Sequence, residues 1–169
     1  TSISKNVTMS VRHRMKNGTY KQGTAPYGYK ITDGEFIIVD EQAEIVKLIF
    51  TAYKEGKSLT KIADELTEMK IEKNDGTYNW NANRVRYIIT NPRYKGDALL
   101  QKSFTTEFPY KSIRNRGQVD MYYIRNANPP IVSEKLFDTA NTLLRQQAGR
   151  YYKQNTGIRE YPLSKMIFC

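Results

Sequence analysis

SLTKIADELTEMKIEKNDGTYNWNANRVRYIITNPRYKG, residues 58–96, is the stretch on which the reading of this chain turns. It spells two short helices joined by a polar connection. Ser58 follows Gly56-Lys57 and can accept from the backbone N–H groups that an opening helical turn leaves free. Leu59, Ile62, Ala63 and Leu66 then recur at i, i+3, i+4 and i+7, one apolar stripe, while Lys61, Asp64, Glu65 and Glu68 occupy the opposite face. Between residues 70 and 79 the apolar positions thin out and Asn74-Asp75-Gly76 supplies a turn, a segment longer than the roughly 3 to 4 residues of a minimal helix-turn-helix. A small hairpin or wing is expected there.

The second helix, residues 81–90, has both ends marked. Asn81 is a good N-cap, Trp80 before it can staple onto Val85, and Asn91-Pro92 ends the run because a residue preceding proline is pushed out of helical backbone angles. Val85, Ile88 and Ile89 form the edge that should be buried. On a wheel of about 100° per residue the face turned away holds Asn83, Tyr87 and Thr90, flanked by Arg84 and Arg86. These residue types hydrogen-bond base edges and phosphates, arginine to guanine and asparagine to adenine. The same face also reads as a solvated surface that touches nothing, and charge decides between the two. Arg93 and Lys95, just beyond the proline, join the candidate set.

The chain of 169 residues carries 27 Lys+Arg against 17 Asp+Glu, a net +10, with a pI near 9.6. At 39% hydrophobic residues it can still bury a core, so it is a folded basic protein suited to a polyanion. No apolar run approaches the roughly 18 to 20 residues needed to cross a bilayer, and no signal peptide is expected. The single cysteine, Cys169, excludes an internal disulfide, and a cytoplasmic setting is the default expectation. The charge is uneven: residues 1–30 carry +6, 31–83 carry −5, 84–125 carry +6 and 126–169 carry +3. An acidic scaffold presenting basic elements to nucleic acid fits this pattern.

The chain opens at Thr1 inside an expected helix, with Ile3, Val7, Val11 and Met15 every four residues, basic residues in the last turn, and Asn17-Gly18 at its end. An opening inside a helix suggests a piece of a longer protein. Tyr27, Tyr29 and Ile31 alternate, Asp33-Gly34 is a hairpin turn and residues 36–39 form the second strand. A helix over 41–55 follows, burying Ile45, Val46, Ile49, Phe50 and Tyr53, and Gly56 stops it. A strand over 97–104 and a partner over 121–125 flank a basic loop with Lys111, Arg114, Asn115, Arg116 and Gly117, of which Lys111, Arg114 and Arg116 suit phosphate; a mobile loop kept charged for solubility is the plainer reading. A last helix opens at Ser133, with Val132 stapled on Phe137, and ends near Gly149. Residues 150–165 are basic and tyrosine-bearing without a period, a linker whose Tyr151, Tyr152 and Tyr161 suit base stacking.

Pro26-Tyr27-Gly28-Tyr29, a hairpin, Glu41-Gln42-Ala43 with Ile49-Phe50 and Tyr53, Gly56, Ile62-Ala63 with Leu66, Trp80 with Val85, and Asn91-Pro92 with Tyr94 and Gly96 come in an order that resembles the recombinase domain of the large serine recombinases, over about residues 20–145. These are the integrases and transposases of phages and mobile elements. The resemblance implies three parts: residues 1–18 as the end of a helix from a catalytic domain, 19–148 as the DNA-binding recombinase domain, and 149–169 as a linker and the start of a zinc ribbon. Cys169 stands where that ribbon's first cysteine is expected, implying zinc in the full-length protein; one cysteine and one distant histidine cannot build a tetrahedral site of about four ligands, so none is expected in this chain. None of the eight serines lies in the family's catalytic setting, and no acid–base pair, phosphate loop or triad stands out.

The expectation is therefore an α+β chain, mostly helical, with a helix-turn-helix-like pair and small antiparallel hairpins, which binds double-stranded attachment-site DNA without cutting it. The parent would be a serine site-specific recombinase, a dimer on each site and a tetramer in synapsis, with no membrane partner. Asn83, Arg84, Arg86, Tyr87, Thr90, Arg93, Lys95, Lys111, Arg114 and Arg116 are the candidate DNA contacts. A freestanding helix-turn-helix regulator and a single-strand or RNA binder using the tyrosines are the alternatives.

Overall fold

The computed structural model describes residues 2–20, 23–106 and 110–155, with the side chains of 2–5 and 149–155 outside the description. Helix α1 (Ser2–Lys16) leads to a hairpin of β1 (Tyr29–Thr32) and β2 (Glu35–Ile38), paired Tyr29 to Ile38 and Thr32 to Glu35 across a turn in which Asp33 and Gly34 both take positive φ. Helices α2 (Asp40–Lys54), α3 (Leu59–Glu68) and α4 (Ala82–Thr90) follow, then a 3-10 turn (Pro92–Lys95). Strands β3 (Ala98–Leu100) and β6 (Tyr122–Ile124) pair antiparallel, and so do β4 (Ser103–Thr105) and β5 (Ser112–Arg114). Helix α5 (Glu134–Asn155) closes the series.

The expected caps form. Ser58 Oγ accepts from Lys61 N at 3.2 Å, Asn81 Oδ1 from Arg84 N at 2.9 Å, and Ser133 Oγ from Leu136 N at 3.3 Å. Each cap fixes where a helix begins, and hence which residues of the next turns face inward. One core results, shared by Val46, Ile49, Phe50 and Tyr53 of α2, Ile62, Ala63 and Leu66 of α3, Val85, Ile88 and Ile89 of α4, and Phe137 and Ala140 of α5. Trp80 joins the connection to this core: its Nε1 donates to Ile71 O at 2.8 Å, its backbone N to Thr67 Oγ1 at 3.0 Å, and its ring meets Tyr27 edge-on at 5.2 Å.

Four expectations change. Residues 70–79 form no strand; Asp75 Oδ1 instead accepts from the backbone N and hydroxyl of Thr77, an Asx turn that needs no ladder. The strand expected over 97–104 breaks at Gln101, whose φ of 59° lies outside any strand, so β3 and β4 enter different two-stranded sheets. The basic loop is partly strand, since β5 holds Arg114, and Asn115 is buried as its brace: Nδ2 donates to Gln101 O and Val119 O, and Oδ1 accepts from Gly117 N. Helix α5 also runs past Gly149 to Asn155, into residues read as linker. Residues 156–169, with the rest of that linker, Tyr161 and Cys169, lie outside the described residues.

Gly28 shows why the Pro-Tyr-Gly-Tyr stretch is written as it is. Its φ is +94°, and a Cβ there would stand 2.8 Å from Ile131 Cδ1 and 3.3 Å from Val46 Cγ2. Left-handed backbone costs a residue with a Cβ about 1 to 2 kcal/mol, and forcing a methyl into a filled core about 1 to 3. Gly28→Ala is expected to lose roughly 2 to 5 kcal/mol of unfolding free energy on those terms, read as a falling urea midpoint.

Candidate nucleic-acid interface

Helix α4 is held by one edge. Val85, Ile88 and Ile89 are fully buried, α3 packs on that side, and Asn141 of α5 donates from Nδ2 to Ile89 O at 2.8 Å, occupying a carbonyl at the helix C-terminus. Because 3.6 residues make a turn, fixing that edge turns Asn83, Arg86, Tyr87 and Thr90 outward, and all four are exposed. Tyr87 keeps 46% of its surface although its hydroxyl accepts from Asn91 Nδ2 at 3.3 Å. Thr90 is less available than its exposure suggests: its hydroxyl donates back to Arg86 O at 2.9 Å. What it offers a partner is chiefly a methyl group.

Arg84 lies at the edge of this face. It is half-buried, its guanidinium stands 5.9 Å from the Tyr87 ring, and it lines a cleft of about 480 Å³ with Thr24, Asn91, Arg93 and Lys102. Lys111, Arg114 and Arg116 are exposed on the β4–β5 hairpin and the loop after it. Arg114 acts electrostatically on Lys102, which brings the hairpin's charge to the cleft. Lys102 is a cation the sequence reading passed over. Its pKa is lowered by desolvation and then by Arg93 and Arg114, the sign of a positive charge held among others. The only signal for it in sequence was a lysine next to the residue that breaks the strand.

Two candidates do not face a partner as expected. Arg93 is only 7% exposed: its guanidinium covers the Phe36 ring at 4.2 Å and Nη1 donates to Asn128 Oδ1 at 3.1 Å. Asn128 in turn donates to Arg93 O at 2.9 Å and to Tyr29 Oη at 3.1 Å, a buried polar node tying β1, the 3-10 turn and the 126–130 segment together. Sequence placed Arg93 beside the basic helix, whereas the 3-10 turn after Pro92 swings it inward. Lys95 is paired off, with Glu134 at 3.2 Å, Asp97 at 3.5 Å and Asp138 at 3.8 Å, and its ammonium lies 5.5 Å from the Phe137 ring. Burial alone would lower its pKa; the bond to Glu134 and the surrounding negative charge hold it above its ordinary value. A cation so neutralised ties the 3-10 turn to α5 and has little charge left for a phosphate.

Asp97 completes that tie. Burial would raise its carboxyl, but the Tyr123 hydroxyl at 2.5 Å, the Asn126 N–H at 3.1 Å and Lys95 hold it below the usual carboxylate range. A carboxyl depressed by folding contributes stability that is present above its unfolded pKa and is lost as pH falls through the folded one. Asp97→Asn is therefore expected to flatten the fall in stability below about pH 4, measured as urea midpoints at neutral and acid pH.

Among the described residues no group of His, Cys, Asp and Glu could hold a metal ion, and no helix is long and apolar enough to cross a membrane.

The Recombinase family model matches residues 40–147, from the start of α2 into α5. A Bacillus subtilis (strain 168) protein named "Putative DNA recombinase" is 29% identical over 170 residues, covering 92% of this chain and 33% of its own length. The chain thus spans about a third of that relative. Two solved structures share the fold: "Crystal Structure of a LSR-DNA Complex", with a TM-score of 0.59 at 19% identity over 85% of this chain and 38% of the other, and "Sequence Requirements of the Listeria innocua prophage attP site", with 0.60 at 18% over 90% and 56%. The family model covers more than half of the chain, including every helix that builds the exposed cationic face, and the chain belongs to the Recombinase family, as its resemblance to the recombinase domain of the large serine recombinases implies.

Proposed function

We propose that this chain is the double-stranded DNA-binding domain of a site-specific serine recombinase, and that α4 enters the major groove of an attachment site. The observation that carries the reading is the two-sided character of α4: three fully buried aliphatic residues on one edge, and Asn83, Arg86 and Tyr87 exposed on the other. Such a helix is rigid where it is held and chemically able to read bases where it is free. The uneven charge supports this, since basic residues gather from α4 to β6 while the segment carrying α2 and α3 is acidic. On this proposal α3 supports α4 as the first helix of a helix-turn-helix supports the second, across a longer connection. Arg86 takes a base or phosphate, Asn83 and Tyr87 take base edges, and Lys111, Arg114 and Arg116 follow the backbone. The parent protein supplies the serine nucleophile and a zinc-binding module, acts in the bacterial cytoplasm, and pairs its subunits on each site before synapsis.

The test is selection of bound duplexes from a random-sequence pool by the chain, followed by competition. The selected duplex should displace unrelated duplex, and neither of its separated strands should displace it. Affinity should also fall steeply with salt, since log K scales with log[salt] by about −0.9 per phosphate neutralised. Equal or better competition by a single strand would overturn the reading in favour of a base-stacking mode through the exposed tyrosines.

A further inference from the structure

We propose that the cleft between the start of α4 and the β3–β4 break is a seat for one backbone phosphodiester of the bound duplex. The inference deepens the DNA-binding reading and rests on it. Two cations from successive elements line this cleft, Arg84 from α4 and Lys102 from the break at Gln101, and Arg93, its guanidinium committed to Phe36 and Asn128, lies beside them. Among the described residues no ion pair involves Arg84 or Lys102. The one carboxylate in the cleft lining, Asp75, is engaged elsewhere: Oδ1 accepts from Thr77 N at 3.0 Å and Thr77 Oγ1 at 2.6 Å, and Oδ2 lies 3.5 Å from Lys73. Those Thr77 bonds hold its pKa down. Among the described residues, the positive charge of Arg84 and Lys102 in this cleft is therefore met by no carboxylate.

An independent observation points to an incoming acceptor. The Nε–H of Arg84 is buried without a hydrogen-bond partner, although arginine presents five donors and buried donors are as a rule satisfied. A turn of the half-buried Arg84 side chain toward the cleft would let an anionic oxygen supply the missing acceptor, and that oxygen would also offset the positive charge of Arg93 and Arg114 acting on Lys102. A planar guanidinium and a lysine ammonium converging on one volume match the tetrahedral oxygens of a phosphate. The source of that phosphate follows from position. Tyr87 lines the cleft and also belongs to the outward face of α4, so a phosphate held here is continuous with bases read by Asn83 and Arg86. Phosphate contacts of this kind fix the register of a reading helix without carrying sequence information.

Two variants and a free anion test the proposal. With the selected duplex, Arg84→Gln and Lys102→Gln combined should weaken binding roughly ten- to a hundred-fold, since hydrogen bonds to charged groups are strong. The slope of log K against log[salt] should become shallower by about 1, and selected and unrelated duplexes should lose affinity alike. Lys102→Arg should keep most of the affinity. Should the double variant fold poorly by circular dichroism, Lys102→Gln alone carries the test, because Lys102 is exposed and outside the core. Titration with inorganic phosphate, followed at the Arg84 Nε–H resonance, separates a duplex phosphate from a free one. Wild-type binding to duplex with an unchanged slope in the variants would overturn the seat and leave the DNA reading standing. A resonance shift with phosphate alongside unchanged duplex binding would overturn the assigned occupant. Failure of the wild-type chain to bind any duplex would remove both proposals.

Discussion

Trp80→Ala is expected to lower the unfolding free energy by about 3 to 5 kcal/mol, the range for emptying a large aromatic site in a core. Three separate interactions go at once. The indole leaves the cluster it shares with Tyr27 and Val85, the Ile71 carbonyl loses its only indole donor, and the connection between α3 and α4 loses its one aromatic anchor in the core. The effect on α4 matters as much as the number. Trp80 is the residue immediately before the Asn81 cap, so its loss should loosen the start of α4 while leaving the Ser58 cap of α3 intact. Trp80→Phe separates the contributions: one aromatic ring is retained while the donor and part of the indole volume are lost, which should cost about 1 to 3 kcal/mol, less than Trp80→Ala. Urea unfolding reads both, with a lower midpoint and an unchanged slope if only stability has moved. Equal, small losses in the two variants would show that the connection is held by backbone contacts and that Trp80 is peripheral.

Arg86→Ala is expected to weaken binding to the selected duplex by about 1 to 3 kcal/mol and to relax preference at one base position, the signature of a lost bidentate contact. Arg86 is exposed and outside the core, so the free chain should unfold at an unchanged urea concentration, and any loss is then a loss of binding. Asn83→Ala should relax a neighbouring position in the same way. Arg93 provides the contrast. Its guanidinium is committed to Phe36 and Asn128, so Arg93→Ala should show first as lost stability, by orphaning the Asn128 carbonyl, with base preference unchanged. If Arg86→Ala leaves affinity and preference as they were, Arg86 contacts neither base nor phosphate. If Asn83→Ala is silent as well, α4 does not read bases through them, and the hairpin cations are left as the groups that grip the duplex.

Where the fold was legible in sequence, the legible features were local. The Ser58, Asn81 and Ser133 caps, the period of Leu59, Ile62, Ala63 and Leu66, and the stop at Asn91-Pro92 each depend on backbone geometry within a turn or two of the residue concerned. The outward face of α4 was legible for the same reason, because three apolar residues at helical spacing fix the azimuth of the others. The pairing of β3 with β6 is legible in the same way, whereas most of β4 falls at the end of the first expected strand and β5 falls in the expected loop. Residues 112–114 have no buried face to give them an alternating pattern, since Ser112, Ile113 and Arg114 are all exposed. A pattern that records burial is silent about a strand without it.

By itself, then, the sequence determined the helices, their caps, the acidic and basic halves and the face that α4 turns outward, since each follows from short-range sterics or from composition. Only the tertiary structure decided which cations remain free to meet a ligand. Arg84, Arg93 and Lys95 lie within twelve residues and look alike as text, yet one has a buried unpaired N–H in a cleft, one covers a phenylalanine and one is ringed by three carboxylates. The difference lies in Phe36, Asn128, Glu134 and Asp138, residues remote in the chain, and the energy of a charge depends on the partners and the water that folding leaves beside it.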